Sequence, residues 1–257
     1  DYRAAETRLL AHYGLTATER MVPVPGSDVT LHVLDIPGDP ARPPVVLLHG
    51  MARTARSMAT MERTLRDVGY ATLNPDYRSR HRPLQTLVEE LHPAVEAFAA
   101  AVPGRLHFVT HSMGGLLARG YIRRHRPERL GRGVMLGPPN AGSEIADLLG
   151  GTYPYRLYFG PAGAQLGTAQ DAALCDLLGT IDYPVGVIAG DRALDPVGYL
   201  LLPGANDGRV SVARTRIDGI ADHITLHVTH AMMMVASMSP RTIWPISSRF
   251  VEACWMS

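Results

Sequence analysis

The stretch Thr-His-Ser-Met-Gly-Gly at residues 110–115 could make Ser112 a nucleophile. It follows a short apolar run and precedes residues with helical spacing, so a strand is predicted to lead directly into a helix. Such a turn lifts a serine hydroxyl above the sheet edge and requires small residues two positions to either side. Gly114 meets that requirement, whereas Thr110 stands where the common pattern has glycine. A helix that merely begins with a capping serine is the alternative, but the predicted strand and helix favour the nucleophile.

A second pattern, His49-Gly50, follows another apolar run at Val45–Leu48. A tetrahedral oxyanion needs two preorganised N–H donors, one from a loop in this place and one from the residue after the nucleophile. Gly50 lets the backbone approach closely, so the N–H groups of Met51 and Met113 are the predicted oxyanion hole. His49 and Gly50 are also predicted to contact substrate. Alone, a His-Gly pair after a strand is equally consistent with a simple turn, but its order relative to the serine motif favours the oxyanion loop.

With both motifs in this order, the chain resembles the α/β-hydrolases of the bacterial lipase and esterase group. Three further stretches carry the resemblance: Leu-Gly-Pro-Pro-Asn-Ala-Gly-Ser at 136–143, Asn-Asp-Gly-Arg-Val-Ser at 206–211 and Thr-His-Ala-Met-Met at 229–233. The resemblance implies an α/β-hydrolase fold and a serine hydrolase that cleaves carboxylic esters through a Ser-His-Asp triad and an acyl-enzyme. It implies no cofactor and a small-molecule ester or lipid as substrate. The chain departs from the family at Thr110 and in the tail after Met234, where a plain amphipathic helix is usual.

The family order, serine then acid then histidine, directs the choice of the catalytic base. His230 follows the last predicted strand, Ile224–Val228, after one intervening residue. Its loop can therefore reach back over Ser112, and His230 is the predicted base. His227, placed inside that strand, and His223, placed before it, are the less favoured alternatives.

Three aspartates are candidates for the acid that orients this histidine. Asp207 lies in the Asn-Asp-Gly turn that matches the lipase motif, and it is the nearest of the three to the final strand. Asp191 directly follows the fifth predicted strand, where simpler members of the fold often place the acid, and Asp195 lies four residues later. We take Asp207 as the acid and interpret Asp191 as structural.

The elements that must position these residues alternate along the chain. Short apolar runs, typical of strands buried on both faces of a parallel sheet, are separated by segments with helical spacing. The predicted strands are 45–48, 70–73, 106–110, 133–136, 184–189 and 224–228, and the predicted helices are 55–68, 84–101 and 113–126. A hairpin is predicted over residues 21–35. The alternation indicates a single domain over residues 1–257, with a mostly parallel central sheet and helices on both faces.

Residues 141–183 interrupt this alternation and are rich in Gly, Tyr and Leu. We interpret them as an insertion over the ends of the strands. A cap or lid there would suit acyl chains, and Leu149, Tyr153 and Leu157 are its predicted substrate contacts. Equally, the segment would be explained if it only covered the end of the sheet.

The composition excludes several classes of protein. All 25 basic residues are arginine, so there is no lysine for a Schiff base or for cradling phosphates in a P-loop. The net charge of +1 gives no reason to expect nucleic acid as a partner. No stretch approaches the roughly 20 apolar residues of a membrane-spanning helix, and no His or Cys spacing predicts a metal site. The arginines from 119 to 132 are interpreted as solvated charges near a helix end.

Two alternatives to an ester hydrolase stay open at this point. An acyltransferase or an amidase would use the same triad, and a non-catalytic binding protein would keep the same fold. The pairing of Cys175 with Cys254 and the oligomeric state are also open, as is the choice between a cytoplasmic and a secreted location.

Overall fold

The computed structural model describes residues 18–23, 30–35, 43–67, 69–194 and 196–236. The chain divides into two compact units, residues 1–42 and residues 43–257. In the first unit, β1 (Thr18–Pro23) pairs antiparallel with β2 (Thr30–Asp35). This pairing confirms the predicted hairpin. That the whole chain forms one domain stays a prediction.

The described part of the second unit contains a sheet of six parallel strands. They are β3 (Val45–Leu48), β4 (Thr72–Leu73), β5 (Leu106–His111), β6 (Leu130–Leu136), β7 (Val185–Gly190) and β8 (Asp222–Leu226). Their order across the sheet is β4-β3-β5-β6-β7-β8, and every neighbouring pair is parallel. The carboxyl ends of all six strands therefore lie at one edge, where the loops that follow them can meet.

Helices connect these strands, beginning with a 3₁₀ turn at Ala55–Met58. They are α1 (Ala59–Asp67), α2 (Leu84–Ala101), α3 (Met113–His125), α4 (Glu144–Leu149), α5 (Tyr153–Ala164), α6 (Ala172–Leu178), α7 (Pro196–Leu201), α8 (Val212–Thr215) and α9 (Met233–Ala236). Among the described residues, no helix is long and apolar enough to cross a membrane.

Strands β3, β5 and β7 are buried along their whole length, which explains their nearly continuous apolar sequences. Because side chains alternate along a strand, Val46 and Leu48 of β3 join one core, to which α2 and α3 also contribute. Val45 and Leu47 join the core on the opposite face, together with residues of α1 and α9. Helices therefore cover both faces of a parallel sheet, and the predicted fold class is confirmed.

The predicted element bounds differ from the structure mainly at strand ends. Helix α2 has the predicted bounds, but β6 begins at Leu130 rather than at residue 133. Half-buried and buried residues alternate along this part of β6, so it lacks the continuous apolar run that marked the other strands. Strand β8 ends at Leu226. His223 therefore lies inside the strand and His227 after it, and the predicted placement of both was wrong.

Residues 141–183 contain α4, α5 and α6, and part of this segment packs into the core beside the sheet. Tyr155 of α5 and Leu174 of α6 belong to the core on the α2–α3 face, whereas Tyr153 and Leu157 of α5 are exposed. Helix α5 breaks at Gly160, where a Cβ atom would lie 1.7 Å from the Arg80 carbonyl oxygen. The segment thus contributes to the core, and its action as a cap or lid stays a prediction.

The interpretation of the arginine run as solvated was wrong for Arg119. This side chain is buried, and its Nη1 donates to the carbonyl and side-chain oxygens of Asn140 at 3.3 Å each. Its Nη2 donates to the Gly179 carbonyl at 3.0 Å. Arg119 lies in the middle of α3 and faces the loop at residue 140, whereas Arg126, at the helix end, is exposed and pairs with Asp182.

Three predictions concern residues beyond those that the structure describes. Asp195 and Cys254 lie outside the described residues, as does the tail after residue 236. Cys175 is exposed on α6. Its pairing with Cys254 therefore stays open.

Candidate active site

Ser112 lies at the turn between β5 and α3 in a conformation that few residues adopt. Its backbone angles are φ 55° and ψ −126°, outside the regions that L-residues prefer. Close packing holds this turn, because a Cβ atom on Gly114 would lie 2.4 Å from the Leu48 carbonyl oxygen. The Ser112 N–H also donates to the Leu136 carbonyl at 2.8 Å. Strands β3 and β6 therefore fix the turn from both sides, as the sequence pattern requires.

Thr110 fits where the common pattern has glycine because its side chain does not lie at the close approach of the turn. A Cβ atom on Gly115 would lie 3.4 Å from Thr110 Oγ1. The Thr110 side chain is buried, and its hydroxyl donates a hydrogen bond to the Val134 carbonyl oxygen at 3.5 Å. The close approach that the turn needs is made by Gly114 against β3, so the departure at residue 110 is accommodated.

Asp207 and His230 form a buried hydrogen-bonded pair. His230 Nδ1 lies 2.6 Å from Asp207 Oδ2, and the aspartate side chain is fully buried. The backbone N–H groups of Arg209 and Val210 both donate to Asp207 Oδ1 at 2.9 Å. One carboxylate oxygen thus fixes its own loop and the other orients the histidine. With Nδ1–H donated to Asp207, Nε2 of His230 is the nitrogen that can accept a proton.

Two glycines make room for this pair. A Cβ atom on Gly137, where φ is 54°, would lie 3.0 Å from Asp207 Oδ2 and 3.1 Å from His230 Nδ1. A Cβ atom on Gly190, at the end of β7, would lie 2.8 Å from the Asp207 Cβ. Gly137 belongs to the Leu-Gly-Pro-Pro stretch, so the structure gives a steric reason for glycine in that motif.

The alternative acid and base pair with each other, away from this arrangement. His227 Nδ1 lies 2.8 Å from Asp191 Oδ1, and the His227 side chain is 75% exposed. His223 Nε2 lies 2.8 Å from the Thr215 hydroxyl oxygen. None of these side chains lines the cleft that contains Ser112 and His230. A third His-Asp pair among the described residues joins His49 Nε2 to Asp76 Oδ1 at 3.3 Å. Of these three pairs, only Asp207–His230 reaches the serine's cleft.

Met51 and Met113, the predicted oxyanion donors, lie on the two loops that meet at Ser112. A Cβ atom on Gly50 would lie 3.0 Å from the Ser112 Cβ, so the first loop packs directly against the serine. Within the described residues, neither methionine N–H donates a hydrogen bond to another protein group. Met51 lines the cleft, whereas the Met113 side chain is buried. The role of both N–H groups in an oxyanion hole stays a prediction.

Polar side chains from the loop after β4 hold residues 49–52. The Tyr77 hydroxyl donates to the His49 carbonyl, and the two rings stack with their centroids 3.8 Å apart. The Ala52 N–H donates to Ser79 Oγ at 3.1 Å while Ala52 adopts a positive φ of 54°. The His49 ring is fully buried, and this burial lowers its pKa. His49 therefore supports the loop and does not line the cleft, contrary to its predicted substrate contact, whereas Gly50 does line it.

His111 connects the serine turn to the His230 loop. Its Nε2 lies 3.0 Å from the His230 carbonyl oxygen, so this nitrogen carries the proton and donates. Burial lowers the pKa of His111 well below its usual range, and the neighbouring His230 lowers it further. His111 is thus a neutral side chain that positions the backbone of His230.

These groups surround a cleft of about 460 Å³ at the carboxyl edge of the sheet. Its lining residues are Gly50, Met51, Ala52, Arg53, His111, Ser112, Pro139, Ser143, Ile145, Tyr155, Tyr158, Phe159, Leu166, Arg209, Val210 and His230. Leu149, Tyr153 and Leu157, the predicted substrate contacts, are not among them. Helical spacing explains the difference, because Tyr155, Tyr158 and Phe159 share one face of α5 while residues 153 and 157 point elsewhere.

Among the described residues, no group of three or more His, Cys, Asp or Glu side chains could hold a metal ion. The cleft combines a serine, a histidine paired with an aspartate, the loop that carries Met51 and an aromatic wall. Such a set can perform acyl transfer through a covalent serine intermediate.

A comparison with protein families supports this interpretation of the fold. The model of the alpha/beta hydrolase family matches residues 45–243. The chain belongs to this family. The family supports hydrolytic chemistry in general. No curated protein matches the chain.

Several solved structures share the fold at low sequence identity. A Bacillus licheniformis lipase in its mature form has a TM-score of 0.67 and 20% identity, covering 83% of this chain and 93% of the lipase. A Legionella pneumophila phospholipase has a TM-score of 0.63 and 18% identity, covering 79% of this chain and 58% of the other. An esterase from a Rhodococcus species has a TM-score of 0.52 and 18% identity, covering 94% of this chain and 99% of the esterase. At this identity the likeness shows the fold alone.

In this α/β-hydrolase, sequence reasoning missed Arg53 and Arg209 in the cleft and Tyr77 and Ser79 behind it. Arg53 follows the His-Gly pair by three residues, and Arg209 follows Asp207 by two. Arg209 lies in the Asn-Asp-Gly-Arg-Val-Ser motif, and Arg53 lies two residues after the predicted oxyanion donor Met51. The proximity of both to the cleft therefore had a sequence signal. Tyr77 and Ser79 had none, because only the folded chain brings the loop after β4 against residues 49–52.

Proposed function

We propose that the protein is a serine esterase or lipase that cleaves carboxylic esters. The convergence of Ser112 and the Asp207-bound His230 on one cleft carries this proposal. The Met51 and Met113 N–H groups and the aromatic wall of α5 support it. The structural neighbours include proteins titled lipase, phospholipase and esterase, which agrees with an ester substrate.

The proposed reaction begins when Ser112 Oγ attacks the acyl carbon of the ester. His230 Nε2 takes the hydroxyl proton, and Asp207 stabilises the imidazolium through Nδ1–H. The tetrahedral oxyanion accepts hydrogen bonds from the Met51 and Met113 N–H groups, each worth roughly 3 kcal/mol. His230 then gives its proton to the departing alcohol, which leaves the acyl group on Ser112. Water, deprotonated by the same histidine, releases the carboxylic acid and restores the serine.

The test is hydrolysis of p-nitrophenyl esters from acetate to palmitate by the full chain and its variants. Ser112→Ala and His230→Ala are expected to lower kcat at least about a thousandfold, because the three groups act as a unit. The matched control is Asp191→Asn, which removes the carboxylate paired with His227 outside the cleft and is expected to change kcat less than twofold. Asp207→Asn is expected to lower kcat strongly.

Other outcomes would overturn the proposal. Activity that survives Ser112→Ala, or no activity in a wild-type protein with a cooperative thermal unfolding transition, contradicts a serine esterase. Formation of a new ester when an alcohol is added, with little free acid released, would replace hydrolysis by acyl transfer.

A further inference from the structure

Two arginines line the proposed catalytic cleft from different loops. Arg53 lies on the loop that carries Met51, and Arg209 lies on the loop that carries Asp207. No aspartate or glutamate is among the lining residues in the part of the chain that the structure describes. The Asp207 side chain is fully buried beneath the cleft, against His230. The wall that a substrate would contact therefore carries positive charge and no carboxylate.

The two arginines are held by the same backbone that positions the reacting groups. The Arg53 N–H closes a turn onto the Gly50 carbonyl at 3.2 Å. The Arg209 N–H donates to Asp207 Oδ1 at 2.9 Å, and the Arg209 carbonyl accepts a hydrogen bond from Ser143 Oγ at 3.0 Å. The backbones of both arginines are therefore fixed on two different loops of the cleft.

Arg53 contrasts with those arginines of this surface that pair with carboxylates. Among the arginines that form ion pairs with carboxylates are Arg66, Arg82, Arg123, Arg124, Arg126 and Arg214. Arg53 is exposed, and within the described residues it forms no ion pair. Its charge acts on the centre of the site, since it contributes to the lowered pKa of the neighbouring His111.

A third arginine extends the positive charge to the rim. The Arg80 guanidinium lies 4.4 Å from the centroid of the Tyr158 ring, and Arg80 Nε donates to the Tyr158 carbonyl. Tyr158 itself lines the cleft. Arginines thus lie on two loops that line the cleft and against an aromatic ring of its wall. A cleft lined by one sign of charge concentrates ligands of the opposite sign.

We propose that Arg53 and Arg209 select esters that carry a negatively charged group, a carboxylate or a phosphate, close to the ester bond. This inference rests on the esterase activity proposed above and names its substrate class. A guanidinium binds either anion through two parallel N–H bonds, so the shared chemistry is an oxyanion-bearing ester. The aromatic wall of α5 would receive the apolar part of the same molecule.

The experiment compares two pairs of esters, in each of which the neutral member has the anionic group masked or removed. The carboxylate pair is mono-p-nitrophenyl adipate and its methyl ester, and the phosphate pair is 1-oleoyl lysophosphatidic acid and 1-oleoyl glycerol. In 20 mM salt, the wild type is expected to favour the anionic member of at least one pair by about tenfold or more in kcat/KM. This ratio is expected to fall severalfold in 500 mM salt, because salt screens exposed charges. The pair with the larger ratio identifies the anion.

The variants Arg53→Gln and Arg209→Gln are each expected to lower the anionic-to-neutral ratio at least threefold, and the double variant at least tenfold. Arg56→Gln removes the same charge from an exposed residue of the same loop region that does not line the cleft, and it is expected to keep the wild-type ratio. Thermal unfolding checks that each variant is folded. If Arg209→Gln does not fold, Arg53→Gln and the salt dependence decide the result.

The outcomes separate this inference from the proposed function. Neutral esters cleaved in a Ser112-dependent way, with anionic-to-neutral ratios near one, would overturn the selection of anions and leave the esterase intact. An equal loss of the ratio in Arg56→Gln would assign the effect to overall charge and overturn the roles of Arg53 and Arg209. No Ser112-dependent cleavage of any of the four substrates overturns both.

Discussion

Ser112 and Ala52 have nearly the same unusual backbone angle but are held by different forces. They are the non-glycine residues with positive φ in the described chain, at 55° and 54°, and they lie on the two loops that meet in the cleft. Around Ser112, backbone packs against backbone, with Gly114 in contact with β3. Around Ala52, the conformation is held by hydrogen bonds from the loop after β4. One loop is thus fixed by steric exclusion and the other by polar side chains.

This difference determines how each loop responds to substitution. A steric contact between backbone atoms leaves nothing that can move aside, so an added methyl group must displace a strand or a helix. A hydrogen bond to a side chain can be removed without a steric clash. Removing it costs only the free energy of leaving one buried polar group unpaired. Substitutions at the serine turn should therefore threaten the fold, whereas those at the oxyanion loop should change catalysis first.

The largest effect is expected for Gly114→Ala. Its Cβ would lie 2.4 Å from one backbone oxygen and 2.8 Å from another. We expect a loss of more than about 3 kcal/mol in the free energy of unfolding and loss of esterase activity. Chemical denaturation followed by circular dichroism measures the first. Gly151→Ala is the control, since its Cβ would meet nothing within 4 Å. Equal stability of the two variants would contradict steric fixation of the serine turn.

A smaller effect, mainly on kcat, is expected for Tyr77→Phe. The ring and its stacking on His49 are kept, but the buried His49 carbonyl loses its donor. A buried carbonyl without a donor costs about 1–3 kcal/mol, and its loss of a partner loosens the loop that carries Met51. We expect kcat to fall about tenfold with KM nearly unchanged, measured on one neutral ester. A rise in KM with kcat unchanged would show that the loop binds substrate instead of positioning the N–H donor.

Acid should also lower the free energy of unfolding, through a buried histidine of β5, the strand that leads into the serine turn. Burial at the start of β5, together with the charges of nearby Arg132 and Arg105, lowers the pKa of His107 to about 4. The unfolded chain, with a histidine pKa near 6.5, binds this proton as the pH falls below that value, while the folded chain does not until about pH 4. Above about pH 6.5 the buried neutral histidine therefore costs no stability. By pH 5 it should lower the free energy of unfolding by about 2 kcal/mol.

The variant His107→Asn tests this loss, because an asparagine oxygen can still accept the Arg132 N–H that lies 3.0 Å from His107 Nδ1. Unfolding free energies at pH 7 and pH 5 should differ less in His107→Asn than in the wild type. The exposed His81→Asn serves as control. A pH difference that His107→Asn leaves unchanged would assign the acid sensitivity to other groups.

The smallest effect is expected for Ala52→Gly. Glycine adopts a positive φ without strain, which raises the free energy of unfolding by roughly 1 kcal/mol. It also makes the unfolded chain more flexible, and this entropy offsets most of that stabilisation. We therefore expect the free energy of unfolding to change by less than about 1 kcal/mol and kcat to stay within a factor of three. Urea titration and ester hydrolysis measure the two quantities. A large loss of stability would show that Ala52 contributes through its methyl group.

The same difference explains what the sequence could predict. The serine turn depends on residue types at fixed spacing, so the position of Ser112 and its glycine was visible at residues 110–115. The acid and the base were predicted from motifs, and the structure brings Asp207 and His230 together. Tyr77 and Ser79 act through contacts made only on folding, and burial of His49 and Arg119 depends on neighbours distant in sequence. The wall of α5 was assigned to the wrong face because its apolar residues surround the helix.

The most direct test of the central claim is labelling of the folded protein with a fluorophosphonate, read by intact mass and peptide mapping. The account predicts a single adduct on Ser112, absent in Ser112→Ala. Labelling should slow at least about a hundredfold in Asp207→Asn and proceed at the wild-type rate in Asp191→Asn. No adduct on a folded wild-type protein, or labelling that depends on Asp191 and not on Asp207, would contradict it.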